Sequence, residues 1–228
     1  MSNLQLISES VQKGRAKETV TYITEAIKEG VSASDILNNG LLDGMSKLGV
    51  RFKNNEVYVP DVLVAARALT KGLEELKPLM ISEDIKPIGK VVLGTVKGDL
   101  HDIGKNLVKM MLIGNGFEVT DLGVDVSAES FVNAVKENEP DIVALSALLT
   151  TTMSQQGEVV NALKANGLRE KVKIMVGGAP VTQTFCDEIG ADAYAADAAS
   201  SAISVSRALF VRWISANSLC SFQIPFEM

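Results

Sequence analysis

Lys90-Val-Val-Leu-Gly-Thr-Val96 runs through Lys97 into Gly98-Asp-Leu-His-Asp-Ile-Gly-Lys-Asn-Leu-Val108. The first stretch is an apolar run of strand length, and the second opens a helical pattern over Ile103 to Leu112. Between them lies a loop that carries His101, the only histidine of the chain. A strand that passes through a short loop into a helix begins a βαβ unit. An imidazole on the loop at the carboxyl end of a first strand stands where open α/β sheets bind ligands. Asp99, two residues earlier, can orient the ring as carboxylates do behind metal-bound histidines.

The alternation continues outward from that stretch. Strand-like runs occupy Val91–Val96, Glu118–Leu122, Ile142–Ser146, Lys173–Val176 and Ala193–Ala195, with helical stretches near 103–115, 128–138, 153–166 and 181–189 and a last one near 198–212. Strand-helix alternation predicts a parallel sheet with helices on both faces. The fold class is therefore α/β, a flavodoxin-like (Rossmann-like) five-stranded domain over 89–209.

Residues 1–80 have the helical period instead. Val20, Ile23 and Ile27 make one stripe, and Ile36, Leu37, Leu41, Met45 and Leu48 another. Pro60 suits the first turn of a helix whose stripe is Leu63, Ala66, Leu69, Leu73 and Leu76. Ser32 or Ser34 can cap the third helix. These four helices predict a small antiparallel bundle ahead of the sheet domain. Lys77 to Pro87, with two prolines and mixed charge, reads as a linker centred on 81–88. The end of the chain, 210–228, is atypical: it holds the single tryptophan, and Phe222, Ile224 and Phe226 alternate like a short edge strand.

Composition narrows the function. The 228 residues are 46% hydrophobic, enough for a sizeable core, and the net charge of −6 argues against nucleic-acid binding. Two distant cysteines give no zinc or redox spacing. The amino terminus does not read as a signal peptide, and no apolar run reaches the roughly 20 residues of a membrane span, so the expected location is the cytoplasm.

Three strand-end loops then share one rim. They are Gly98-Asp99-Leu-His101-Asp102-Ile103-Gly104, Ser146-Ala-Leu148-Leu-Thr150-Thr-Thr152, and Gly177-Gly178-Ala-Pro180. A P-loop fails, because Gly98 and Gly104 are six apart and Asn106 follows Lys105. A dinucleotide fingerprint fails at Gly94 and Gly98. Ser146 stands where a phosphorelay receiver would need an aspartate. There is no nucleophile elbow, and one histidine without cysteine ligands cannot build a zinc site. What remains is a large ligand that needs one imidazole, approached by glycine backbone and small hydroxyls.

At these residues the chain resembles the cobalamin-binding family, whose motif Asp-x-His-x-x-Gly is followed by Ser-x-Leu and Gly-Gly. Here these read Asp99-Leu-His101-Asp-Ile-Gly104, Ser146-Ala-Leu148 and Gly177-Gly178. Glu56-Val-Tyr-Val-Pro60 and the helices around it resemble the cap module that precedes this domain in methionine synthase. Cap and binding domain together look most like the corrinoid protein of a three-component methyltransferase system. The resemblance implies a cobalamin or related cobamide bound base-off/His-on, with His101 as the lower cobalt ligand. It implies that Asp99 accepts the other imidazole proton and that Thr152 extends the relay. Ser146, Leu148, Thr150, Asp102 and Ile103 would touch the cofactor. Gly177 and Gly178 would leave room for its nucleotide tail, Gly104 would permit close packing, and Tyr58 and Val62 would belong to an apolar lid over its upper face.

The implied activity is that of a carrier, not an autonomous enzyme. Cobalt(I) takes a methyl group from a methylated substrate, and methylcobalt(III) passes it to tetrahydrofolate or a thiol such as coenzyme M. Methylamines, methanol, glycine betaine and aryl methyl ethers are the donors of such systems. The implied partners are a substrate:corrinoid methyltransferase, a methylcorrinoid:acceptor methyltransferase and a reductive activator, with a second copy of the chain (a homodimer) left open; no nucleic acid or membrane is expected. Three alternatives stand beside this: a cobalamin-binding sensory module, the small subunit of an adenosylcobalamin mutase, and a cofactor-free structural protein. A sensory module would carry an attached signalling or DNA-binding domain, which no segment here resembles. A mutase subunit would not need this cap.

Overall fold

The computed structural model describes residues 2–198 and Ser201. The tail 210–228 lies outside the described residues, as does the helix expected near 198–212 except for Ala198 and Ser201. The chain begins with α1 (Asn3–Gln12) and α2 (Ala16–Lys28). Then α3 (Ala33–Asp35), a π-helical segment (Ile36–Leu42) and α4 (Asp43–Lys53) run on in right-handed helical backbone as one rod. Ser32 caps this rod, its hydroxyl accepting from the Asp35 amide at 3.1 Å. The long α5 (Val59–Ser82) completes a bundle of four rods. Its core joins Ile7, Ile23, Ile36, Leu41, Met45, Leu48 and Leu69, all essentially inaccessible to solvent.

Two expectations shift here. Leu63 is 44% exposed, and Val62 is the buried residue (0%). The buried face of α5 runs Val62, Ala65, Ala66, Leu69, Gly72, Leu76, one position out of phase with the expected stripe at its start. The linker also begins later than Lys77, because α5 continues through Pro78 to Ser82. Pro78 is exposed, so water can serve the Glu74 carbonyl that the ring leaves unbonded. Leu79 and Met80 beyond it pack on the bundle core, which keeps the last turns helical.

The second half alternates β1 (Lys90–Thr95), α6 (Ile103–Gly114), β2 (Glu118–Asp121), α7 (Ala128–Asn138), β3 (Ile142–Ser146), α8 (Thr150–Ala165), β4 (Lys173–Gly177), α9 (Gln183–Ile189) and β5 (Ala193–Ala195). Every pairing is parallel and the order is β2-β1-β3-β4-β5, the flavodoxin-like order. Strand period divides the core. Val92, Val143, Leu145, Ile174 and Val176 face one way, onto Phe131 and Val135 of α7 and Val159 and Leu163 of α8. Val91, Leu93, Ile142, Ala144 and Met175 face the other way, onto Leu112 of α6. The far side of α6 presents Leu107 and Met111 to the helical bundle. No described helix is long and apolar enough to cross a membrane.

Candidate functional site

In this strand order the direction of winding reverses between β1 and β3, and open sheets leave a ligand crevice at that point. The loops after β1 and β3 meet there, held by a hydrogen bond from the Val96 amide to the Ser146 carbonyl at 3.0 Å. Asp99 sits at the junction with a side chain that is 0% exposed. Its Oδ1 pairs with His101 Nδ1 at 2.7 Å and accepts from the His101 amide at 3.1 Å. Its Oδ2 accepts from the Thr152 hydroxyl at 2.7 Å and from the amides of Leu148 and Leu149 at 2.7 and 3.3 Å. Burial pushes the Asp99 carboxyl up, but the bonds from Thr152, His101 and the Leu148 amide outweigh it and hold the group well below the usual carboxylate range. The carboxylate therefore stays ionised and the shared proton rests on the imidazole. The His101 ring is 51% exposed, which leaves Nε2 available to a ligand.

Beside the imidazole lies a cavity of about 580 Å³ along the ends of β1, β3, β4 and β5. His101, Asp102, Ile103, Gly104, Ser146, Leu148, Gly177 and Gly178 all line it. Gly178 has a φ of +130°, and a Cβ there would lie 1.8 Å from the Ala147 carbonyl oxygen, so only glycine fits. No atom lies within 4 Å of a Cβ built on Gly104, so its bare face, which lines the cavity, packs no protein. Asp102 accepts from Asn106 Nδ2 at 2.9 Å. Leu100, Ile103 and Leu148, which line the cavity with His101, are exposed apolar side chains, Ile103 at 75%, and Leu149 beside Leu148 is exposed too. A cluster of this kind marks a binding surface.

Three expected site residues are not brought together with the rest. Thr150 is exposed on the first turn of α8, away from the cavity lining. Val62 is inside the bundle core, and Tyr58 is exposed at the start of α5, its amide held by Asp61 at 2.8 Å. Neither borders the cavity.

Several residues at the site escaped sequence reading. Thr95, fully buried, donates to the His101 carbonyl at 2.9 Å, and Asp125 accepts from the Gly98 amide at 2.7 Å. Lys105, almost fully buried, bonds both oxygens of Asp121 at 2.7 and 2.8 Å and Asn106 Oδ1 at 2.7 Å. Burial pushes the Asp121 carboxyl up, while Lys105, the Gly123 amide and Lys109 bring it below its ordinary value. Gln156, also buried, donates to the carbonyls of Leu145 and Gly177. None of these positions belongs to a motif; each is identified by the partner that folding brings to it.

The donor set fits a metal that brings most of its own ligands. The described residues contain no group of three or more His, Cys, Asp or Glu side chains able to hold an ion. One carboxylate-backed imidazole, bordering a glycine-walled cavity with exposed apolar side chains, would suit a metal held in a macrocycle.

The architecture is thus that of a cofactor-binding α/β protein. Residues 89–203 match the B12 binding domain family, and residues 4–77 match a second family also described as a B12 binding domain. The chain belongs to the B12-binding family. Dimethylamine corrinoid protein 1 of Methanosarcina mazei is 44% identical over 209 residues, covering 91% of this chain and 96% of that relative. Trimethylamine corrinoid protein 1 of Methanosarcina acetivorans is 43% identical over 189 residues, covering 82% and 87%. Among solved structures, the methanol:cobalamin methyltransferase complex of Methanosarcina barkeri matches with a TM-score of 0.82 at 31% identity, covering 92% of this chain and 80% of that one. A cobalamin-binding protein from Desulfitobacterium hafniense matches with a TM-score of 0.74 at 34% identity, covering 90% and 98%.

Proposed function

We propose that the chain is the corrinoid carrier of a methyltransferase system that demethylates a methylated amine. The observation that carries this is the Asp99 carboxylate, which bonds His101 Nδ1 on one oxygen and Thr152 on the other at the mouth of the cavity. The curated relatives, named as dimethylamine and trimethylamine corrinoid proteins, support the amine as methyl donor.

A bound corrinoid would supply a cobalt that accepts a methyl group from one partner and yields it to another. The protein's part would be to hold and orient the imidazole. With Nδ1–H donated to Asp99, His101 Nε2 would be the nitrogen offered to a corrinoid cobalt, in the base-off/His-on manner. A carboxylate behind the ring strengthens it as a donor. The bonds from Thr152 and from the Leu148 and Leu149 amides would hold the Asp99 carboxylate, and with it the imidazole, in place. Leu100, Ile103 and Leu148, exposed beside His101 at the cavity, would pack against a bound cofactor. The cavity lined by Ser146, Leu148, Gly177 and Gly178 would take the cofactor's nucleotide tail. Tyr58 and the start of α5 would act as a lid that must yield to a partner, which fits a hinge over Glu83–Gly89. Two methyltransferases, one for the substrate and one for the acceptor (a folate or a thiol), and a reductive activator complete the proposal.

The test is reconstitution with hydroxocobalamin under reducing conditions, followed by methyl-transfer assays with mono-, di- and trimethylamine and the cognate methyltransferase. Stoichiometric corrinoid uptake and a histidine-nitrogen signature on the cobalt are expected. Failure to bind corrinoid would remove the proposal.

A further inference from the structure

Gln156 is wholly buried in the second turn of α8, one turn beyond Thr152. Its Nε2 donates to the Leu145 carbonyl at 3.1 Å and to the Gly177 carbonyl at 3.0 Å. Those carbonyls belong to neighbouring strands, β3 and β4, at the ends that line the cavity. Two acceptors fix which way the amide faces, since a carbonyl oxygen in that position would meet two others. The cost falls on the other half of the group: Oε1 has no hydrogen-bond partner among the described residues. A buried glutamine with one half unpaired is a poor choice for stability alone, because an apolar residue of similar shape would leave no orphan.

The seam it spans is tight elsewhere too. The Ala147 amide bonds the same Gly177 carbonyl at 3.2 Å, and Gly178 lies directly against the Ala147 carbonyl, where no side chain fits. Leu145, Ala147, Gly177 and Gly178 all border the cavity, and Leu148, the next residue, donates to Asp99. The width of this seam therefore sets both the cavity wall and the backbone that holds the histidine relay.

We infer that Gln156 is a positioning residue, a clasp across the ends of β3 and β4 that holds the cofactor cavity at its working width before any ligand arrives. This rests on the corrinoid reading for its purpose, but not for its physical basis.

The test compares wild type with Q156M, which matches the side chain in length and lacks the donor. Amide hydrogen exchange of the cofactor-free protein is followed at 145–149 and 176–180, and hydroxocobalamin binding is titrated by absorbance. Faster exchange confined to those two segments, together with a dissociation constant raised about tenfold, supports the clasp. Unchanged exchange and unchanged affinity overturn it, as does a uniform rise in exchange with unchanged affinity, which is the mark of a purely structural residue. Should Q156M fold poorly, Q156E decides. Its carboxylate opposes both carbonyls, and protonation restores one donor, so its affinity relative to wild type should recover as pH falls towards 5. A flat ratio overturns the inference. If wild type itself takes up no corrinoid, the carrier reading fails while the exchange comparison still decides the clasp.

Discussion

The Thr152 hydroxyl donates to Asp99 Oδ2 across 2.7 Å, although the two residues stand 53 positions apart in the chain. The bond ties the loop after β1 to the first turn of α8, so the histidine's support comes from both sides of the sheet's switch point. A hydrogen bond to a charged, buried acceptor is worth more than a neutral one, and Asp99 has no solvent to replace it. Thr152→Val should destabilise the folded protein by about 1.5–3 kcal/mol, read from urea melts at neutral pH. A loss below about 0.5 kcal/mol would mean that the backbone amides of Leu148 and Leu149 carry the carboxylate without it.

The low proton affinity of Asp99 in the fold has a signed consequence for acid stability. Because the folded state keeps this group ionised more readily than the unfolded chain does, its contribution is complete above the ordinary carboxylate pKa of about 3.9. It is lost as pH falls through that value towards the lower folded one. Asp43 and Asp121 shift in the same direction, so the wild-type curve alone does not isolate Asp99. The difference between wild type and Asp99→Asn does. It should be about 1.5–3 kcal/mol at pH 7 and shrink steadily below pH 4. A difference that stays constant to pH 3 would contradict the assignment.

His101→Ala should separate ligation from folding. The ring is half exposed and its backbone contacts, including the bond from Thr95, survive the change. Stability should fall by about 0.5–1.5 kcal/mol, because buried Asp99 Oδ1 loses one bond and keeps the one from the His101 amide. Corrinoid should still bind, but nitrogen hyperfine coupling from the axial imidazole should vanish from the paramagnetic cobalt spectrum and methyl transfer should slow. Retention of that coupling would show another donor at the metal.

Two glycines of the rim should respond in opposite ways. At Gly178 an added Cβ collides with the Ala147 carbonyl at a positive φ, so Gly178→Ala should cost several kcal/mol, of the order of 3, in thermal or urea melts. At Gly104, on the first turn of α6, nothing lies within 4 Å, and Gly104→Ala should leave the cofactor-free protein as stable or up to about 1 kcal/mol more so. Its cost should appear in corrinoid affinity, measured by titration. Unchanged affinity would mean that the ligand does not reach that face.

Local chemistry explains what was legible in the sequence. The five strands and the helices between them follow from runs of Val, Ile and Leu interrupted by Gly and Asn, and a strand such as Ile142–Ser146 has little else it could become. The Asp99–His101 pair was legible because a spacing of two places both side chains on one loop. What the sequence did not reveal was tertiary. Lys105 and Asp121 are 16 residues apart and meet only because α6 returns along β2. Gln156 looks like any helix-surface glutamine until the sheet is built beneath it. The π-helical run Ile36–Leu42 has the apolar spacing of ordinary helix; Gly40 within it and Gly44 just beyond let the rod approach α1, with a Cβ at Gly44 falling 2.6 Å from the Ser8 carbonyl. The sequence leaves the burial phase of α5 open at Leu63, because Val62, Leu63 and Val64 are all apolar and packing alone selects among them.

Helix α6 serves two masters. Leu112 belongs to the core beneath the sheet, while Leu107 and Met111 belong to the core of the helical bundle. Neither half can shed this helix without exposing apolar area in the other, so the two halves are coupled in free energy as well as by a hinge. In a calorimeter such a molecule should melt in one cooperative transition. The helix that starts two residues beyond the imidazole thus joins the bundle core to the loop that carries His101.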